Sequence, residues 1–223
     1  METRAGIYKV LDSDTSSAVY GEIDQHGGYV STSHSTGAWI KDVGTGKVEQ
    51  LNLINTNIPL KTGATIGIGF GGNYPLVFKR SQEVPYEETS IVKNVKTPGK
   101  SFRFALMIAF LSALPFIGCA AGAIFGVILI LVPGCGQKGF GVADGNRLVG
   151  VSTLVTNLLI GKGMVDAIYA SRFVESYVTS TLVLVVAQVV INYIILKRSS
   201  EKSMKVVAAA KEKLESVMQQ QVV

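Results

Sequence analysis

Between Phe104 and Val132 the chain carries no charged residue, a run of about 29 positions. A helix of roughly 20 apolar residues covers the ~30 Å hydrocarbon core of a bilayer, so this run narrows the fold more than any other feature. A second uncharged run, Ser176–Leu196, holds about 21 residues. Both lie far from the N-terminus, and Met1–Val10 lacks the apolar centre of a secretory signal. The pattern is that of an integral membrane protein with two helical spans, 102–133 and 176–196.

The charges are arranged around those runs. Lys93, Lys96, Lys100 and Arg103 precede the first, and Lys197, Arg198, Lys202 and Lys205 follow the second. The connection 134–175 carries Lys138, Arg147, Lys162 and Arg172, offset by Asp144, Asp166 and Glu175. Positive residues next to a span favour the cytoplasmic side. Both termini are therefore expected in the cytoplasm, with an even number of crossings. The net charge of +5 is accounted for in this way. No aromatic residues interleave with the lysines as in a nucleic-acid surface, so no nucleic acid is expected. Cys119 and Cys135 stand 16 residues apart, about 24 Å along a helix against a limit near 7 Å for a bridge. They read as separate thiols.

Why does so apolar a run contain Gly118, Gly122 and Gly126, on one helical face with Ala121 beside them? Lipid tails are as apolar as leucine, so helices in a bilayer associate through close backbone packing, which small residues permit. The stripe predicts a packing face, meeting either the second span of the same chain or the first span of another copy. In the second span Gln188 and Asn192, at i and i+4, are expected to face protein, because amides in a bilayer need partners. Pro115 is expected to kink the first span; a break into a half-helix hairpin there is the alternative.

Residues 1–92 read as an all-β domain, a small sandwich or barrel. Short β-rich runs ("GIYKV", "AVYGEID", "GYVSTS", "GAWIKD", "KVEQLNLI", "ATIGIGF", "PLVFK") alternate with the turn signals "HGG", "VGTG" and "GGN". Residues 93–101 form a linker. The Gly-rich connection 134–175 is expected outside the membrane, with "LVGVSTLVTNLLI" as an amphipathic interfacial helix too short to span. Residues 197–223 form a cytoplasmic helix whose Val207, Ala210, Leu214 and Val217 make a seam of two heptads at most. That helix is either solvated or self-associating.

Four fragments invite catalytic readings, and each lacks a required part. "GIGFGG" at 67–72 is followed by a strand, whereas a dinucleotide turn opens a helix. "GTGK" at 44–47 lacks the first glycine and the Ser or Thr of a phosphate loop. "DSDTS" at 12–16 lacks the later glycine and glutamate of a calcium loop. His26 and His34 have no cysteine near them for zinc. No catalytic residue, metal or cofactor is assigned, and a non-enzymatic protein is expected.

The stretch "STSHSTGAWIKDVGTGKVEQLNLINTNIPLKTGATIGIGF", residues 31–70, resembles the cytosolic β domain of small uncharacterised bacterial inner-membrane proteins. It shares their Trp-containing strand, Gly turn and "IPL..G" step. The resemblance implies an inner-membrane setting and no activity. The leading expectation is a self-associating, homo-oligomeric scaffold or complex subunit, held in membrane lipid and presenting its β domain to a cytosolic protein partner. The alternatives are a subunit of an oligomeric channel or transport complex, and a membrane sensor whose β domain binds a ligand.

Overall fold

A computed structural model describes residues 2–24, 27–54, 56, 58–95, 98–113, 117–132, 143–169 and 173–220, and leaves the side chains of 18–33, 54, 98–102, 113, 117, 143 and 173–177 undescribed. Among these residues six strands come first: β1 (Thr3–Asp24), β2 (Gly27–Asp42), β3 (Val48–Ile54), β4 (Thr65–Gly71), β5 (Tyr74–Lys79) and β6 (Glu87–Glu88). The helices are α1 (Ser90–Val95), α2 (Pro98–Ala113), α3 (Ile117–Leu131), α4 (Ala143–Tyr169) and α5 (Phe173–Gln220). They divide into a sheet unit, Met1–Lys93 with Lys205–Val223, and a helical unit, Asn94–Met204.

The strands form one antiparallel sheet in the order β3-β2-β1-β4-β5-β6. It is open, with β3 and β6 at opposite edges, which corrects the expectation of a closed barrel or two-sheet sandwich. "GIYKV" and "AVYGEID" belong to one strand, β1, interrupted only by a bulge between Val10 and Asp12. The "VGTG" signal marks the β2–β3 turn, where Asp42 Oδ1 accepts the Gly44 and Thr45 N–H groups, each at 2.8 Å.

Cross-strand partners share a face. Tyr8, Val10, Ile40, Leu51, Ile66, Ile68 and Phe70 therefore line one side, where Ile58 and Leu60 from the β3–β4 connection join them in a single apolar cluster. The other side is covered at β4 and β5 by the end of α5. A Cβ on Gly67 would lie 2.8 Å from Leu214 Cδ1, and one on Gly69 would lie 3.0 Å from the Ala210 carbonyl oxygen. The glycines of "GIGFGG" thus bring a helix onto the sheet instead of turning around a phosphate. Val207, Ala210 and Leu214 are buried in the same chain, so residues 205–220 are neither a solvated tail nor a free self-association seam. A sheet with one bare apolar face needs a second layer, and the C-terminal helix supplies it.

The helical unit departs from two uninterrupted spans at 102–133 and 176–196. The first apolar run is two helices, and Pro115, between them, lies outside the described residues. Phe104 and Phe125 stack edge to face with ring centroids 6.4 Å apart; in one straight helix these positions would be about 31 Å apart. Helices α2 and α3 are therefore the two arms of a hairpin. Their apolar parts, Arg103–Ser112 and Gly118–Leu131, are each too short to cross a bilayer.

The second helix long and apolar enough to cross is instead α4, which occupies the expected external connection. "LVGVSTLVTNLLI" continues through Gly161, Lys162 and Gly163 without a break, and Lys162 meets Asp166 one turn on at 2.6 Å. Helix α5 contains the expected span 176–196 and runs on to Gln220. Only 28% and 17% of the most apolar stretches of α4 and α5 is buried. Phe110, Ile124, Leu182 and Val183 are each more than 60% exposed, while Gln188, Asn192 and Thr153 are at 0%. Soluble proteins hide apolar side chains and wet polar ones; these residues do the reverse. The arrangement is consistent with insertion in a membrane.

Candidate functional site

Gly122 and Gly126 of the glycine stripe lie against α4 of the same chain. Gly118, Gly122 and Gly126 are all buried. At Gly122 a Cβ would collide with the Asn157 side-chain amide. At Gly126 it would lie 2.9 Å from the Gly150 carbonyl oxygen and 2.9 Å from the Leu154 nitrogen. Gly150 returns the contact: its own Cβ would come within 2.7 Å of the Gly126 oxygen. The two backbones touch, as small residues allow in lipid. The contact is with neither the second span expected from the sequence nor another copy, but with α4, the segment expected as an interfacial helix.

Below that contact runs a polar seam. The Asn157 amide donates to Ser112 Oγ at 3.0 Å and to the Thr153 carbonyl at 2.8 Å. Ser112 in turn donates to the Ile108 carbonyl at 3.0 Å. Gly145 lies against Ser199 and Gly163 against Ser180, so α4 and α5 run antiparallel. That register sets Gln188 and Asn192 beside the middle of α4, at the level of Thr153 and Asn157. Both amide atoms of Gln188 and of Asn192, together with Asn157 Oδ1, Thr153 Oγ1 and Thr181 Oγ1, are buried without a hydrogen-bond partner among the described residues. Each such group costs about 1–3 kcal/mol. Ser112, Thr153, Asn157 and Thr181 were absent from the sequence-derived set. Thr153 and Asn157, at i and i+4 in the uncharged stretch 148–161 of α4, are the part of this set that is legible in the sequence.

Two further features belong to the sheet unit. A cavity of about 410 Å³ opens on the sheet, lined by Arg4, Glu49, Asn52, Phe70, Tyr74 and Ile91 among others. Arg4 grips Glu49 with two hydrogen bonds, 3.1 and 3.0 Å, and lies 4.2 Å over the Phe70 ring. That guanidinium holds the Glu49 carboxyl below its ordinary range.

The docked end of α5 is clamped by polar groups. Buried Lys79 meets Glu215 at 2.8 Å, Lys211 meets Glu88 at 2.8 Å, and Tyr86 donates to Glu215. Burial, and then the hydrogen bond to Glu215, push the Tyr86 phenol up to about 12. Lys79, and then Tyr86, hold the Glu215 carboxyl low.

Among the described residues no group of His, Cys, Asp and Glu is placed to hold a metal. Cys119 lies in α3, and Cys135 and His26 lie outside the described residues. The fold so defined is a mixed α/β chain with an open sheet and two apolar helices long enough to span a membrane. No family model, curated protein or solved structure matches it.

Proposed function

We propose that the chain is a membrane-anchored, non-enzymatic subunit that presents its sheet unit to a protein partner at the membrane surface. One observation carries this reading: helix α5 is continuous from the apolar span 176–196 to Ala210 and Leu214, which are buried against the sheet. A helix that is membrane anchor at one end and sheet core at the other ties the presented surface to the bilayer.

The same docking supports a topology. Residues 93 and 205 belong to one unit, so an even number of crossings separates them. With α2 and α3 too short to span, α4 and α5 make the two crossings, and the hairpin enters and leaves on one side. Lys93, Lys197, Arg198, Lys202 and Lys205 mark that side as cytoplasmic. The cavity at Arg4 and Glu49 is a concave part of the sheet unit that a cytosolic partner could enter.

Purification of the full chain in mild detergent, with mass measurement of the particle, tests the proposal. A co-purifying protein or a defined multimer supports it, and a bare monomer refutes it.

A transport or channel role is the second reading, favoured by the seam. Polar side chains inside a bilayer-embedded unit often mark a solute path. Solute flux in proteoliposomes, lost in Gln188→Leu and Asn192→Leu, would support that role; unaltered flux would end it.

A further inference from the structure

The face of the sheet that receives α5 is covered at β4 and β5 and open at β2 and β3. Lys9 pairs with Lys41, Lys41 with Val48, and Trp39 with Asp12 and Gln50, so these side chains share the open face. Trp39 is 49% exposed, Val48 46% and Leu11, in the β1 bulge, 40%. Val43 adds a further exposed apolar side chain at the β2–β3 turn. Lys9 and Lys41 are exposed, and Lys47, also at the turn, has 71% of its side chain in solvent although it touches Glu49. Asp12 and Asp14 lie on the side of Trp39 away from the turn, and Asp12 accepts the Ser13 N–H.

Tryptophan, valine and leucine separated by lysines make a poor protein interface, whose buried centre excludes lysine. The same mixture suits the headgroup layer of a bilayer. There the indole ring sits at the boundary, aliphatic side chains reach the acyl region, and lysines meet anionic phosphates. We infer that the turn end of this face, built by Trp39, Lys41, Val43, Val48 and Lys9, docks on the surface of an anionic lipid bilayer. The inference rests on the membrane reading only in that the α4 and α5 helices keep a bilayer within reach of the sheet unit.

Trp39 is the sole tryptophan of the chain, so intrinsic fluorescence of the full-length protein reports this face alone. The protein is placed in nanodiscs of phosphatidylcholine, with or without phosphatidylglycerol, carrying brominated acyl chains. Docking gives blue-shifted emission and bromolipid quenching at least about twofold stronger in the anionic discs, falling as salt screens the lysines. The doubly substituted Lys9→Glu, Lys41→Glu protein changes only exposed positions, and it should lose the anionic enhancement while keeping its circular dichroism. Red emission, open to acrylamide and untouched by bromolipid in both discs, overturns the inference. Emission shielded from acrylamide and bromolipid alike also overturns it, because a protein would then cover the face. Quenching indifferent to lipid charge and salt overturns the anionic assignment as well.

Discussion

Replacing Gly126 with alanine adds one methyl group where two helix backbones touch. The new Cβ would stand 2.9 Å from both the Gly150 oxygen and the Leu154 nitrogen, whereas ordinary contact begins near 3.4 Å. Neither atom is the end of a flexible side chain, so α3 and α4 must part by about 0.5 Å. Overpacking of this kind costs about 1–3 kcal/mol, against a gain of about 1 kcal/mol for alanine over glycine inside a helix. Gly161→Ala is the matched control, because nothing lies within 4 Å of a Cβ at that position of α4. The propensity gain is common to both variants and cancels in their difference. Gly126→Ala should therefore be about 1–3 kcal/mol less stable than Gly161→Ala. Equilibrium unfolding of the full chain in mixed micelles, titrated with SDS and followed by far-ultraviolet circular dichroism, reads that difference. Adding Gly150→Ala to Gly126→Ala should cost less than the two separate losses together, since the helices have already parted. Equal stability of Gly126→Ala and Gly161→Ala would refute the close backbone contact.

Other perturbations probe the seam and the docked helix. Gly122→Ala should be destabilising and be partly rescued by Asn157→Ala in the same unfolding assay, because the obstructing group is the Asn157 amide. Gln188→Leu should raise stability by about 1–3 kcal/mol by removing two unpartnered buried atoms of a side chain at 0% exposure; a lower stability would show that the amide has a partner. Leu214→Ala, at a fully buried position on the sheet, should cost about 2–5 kcal/mol, read as earlier thermal loss of sheet signal. The clamp on α5 should weaken at both pH extremes. Glu215 has a depressed value in the fold, so its contribution is present above the unfolded carboxylate range and is lost as pH falls through the folded value. Tyr86 has a raised value, so its contribution is present below pH 10 and is lost between pH 10 and about 12. Tyr86→Phe should abolish the alkaline loss, and its persistence in that variant would refute the assignment.

The amino-acid sequence determined the features that depend on local composition. Uncharged stretches announce apolar helices consistent with a membrane setting. Period-two alternation and turn glycines announce strands, and small residues every fourth position announce a backbone contact. The identity of each partner was not local. Gly126 could be recognised as a packing glycine, but Gly150 as its counterpart could not, because residues 150 and 126 meet only after the chain has reversed between α3 and α4. The helix expected over "LVGVSTLVTNLLI" ends at Ile160, yet α4 passes on through Gly161 and Gly163, with the Lys162–Asp166 pair one turn apart. The seam of Val207, Ala210 and Leu214 was visible as an apolar stripe, and a stripe does not name its occupant. Only the tertiary structure decided that it lies on Gly67 and Gly69 of its own sheet, because shape complementarity between distant segments exists nowhere in the order of residues.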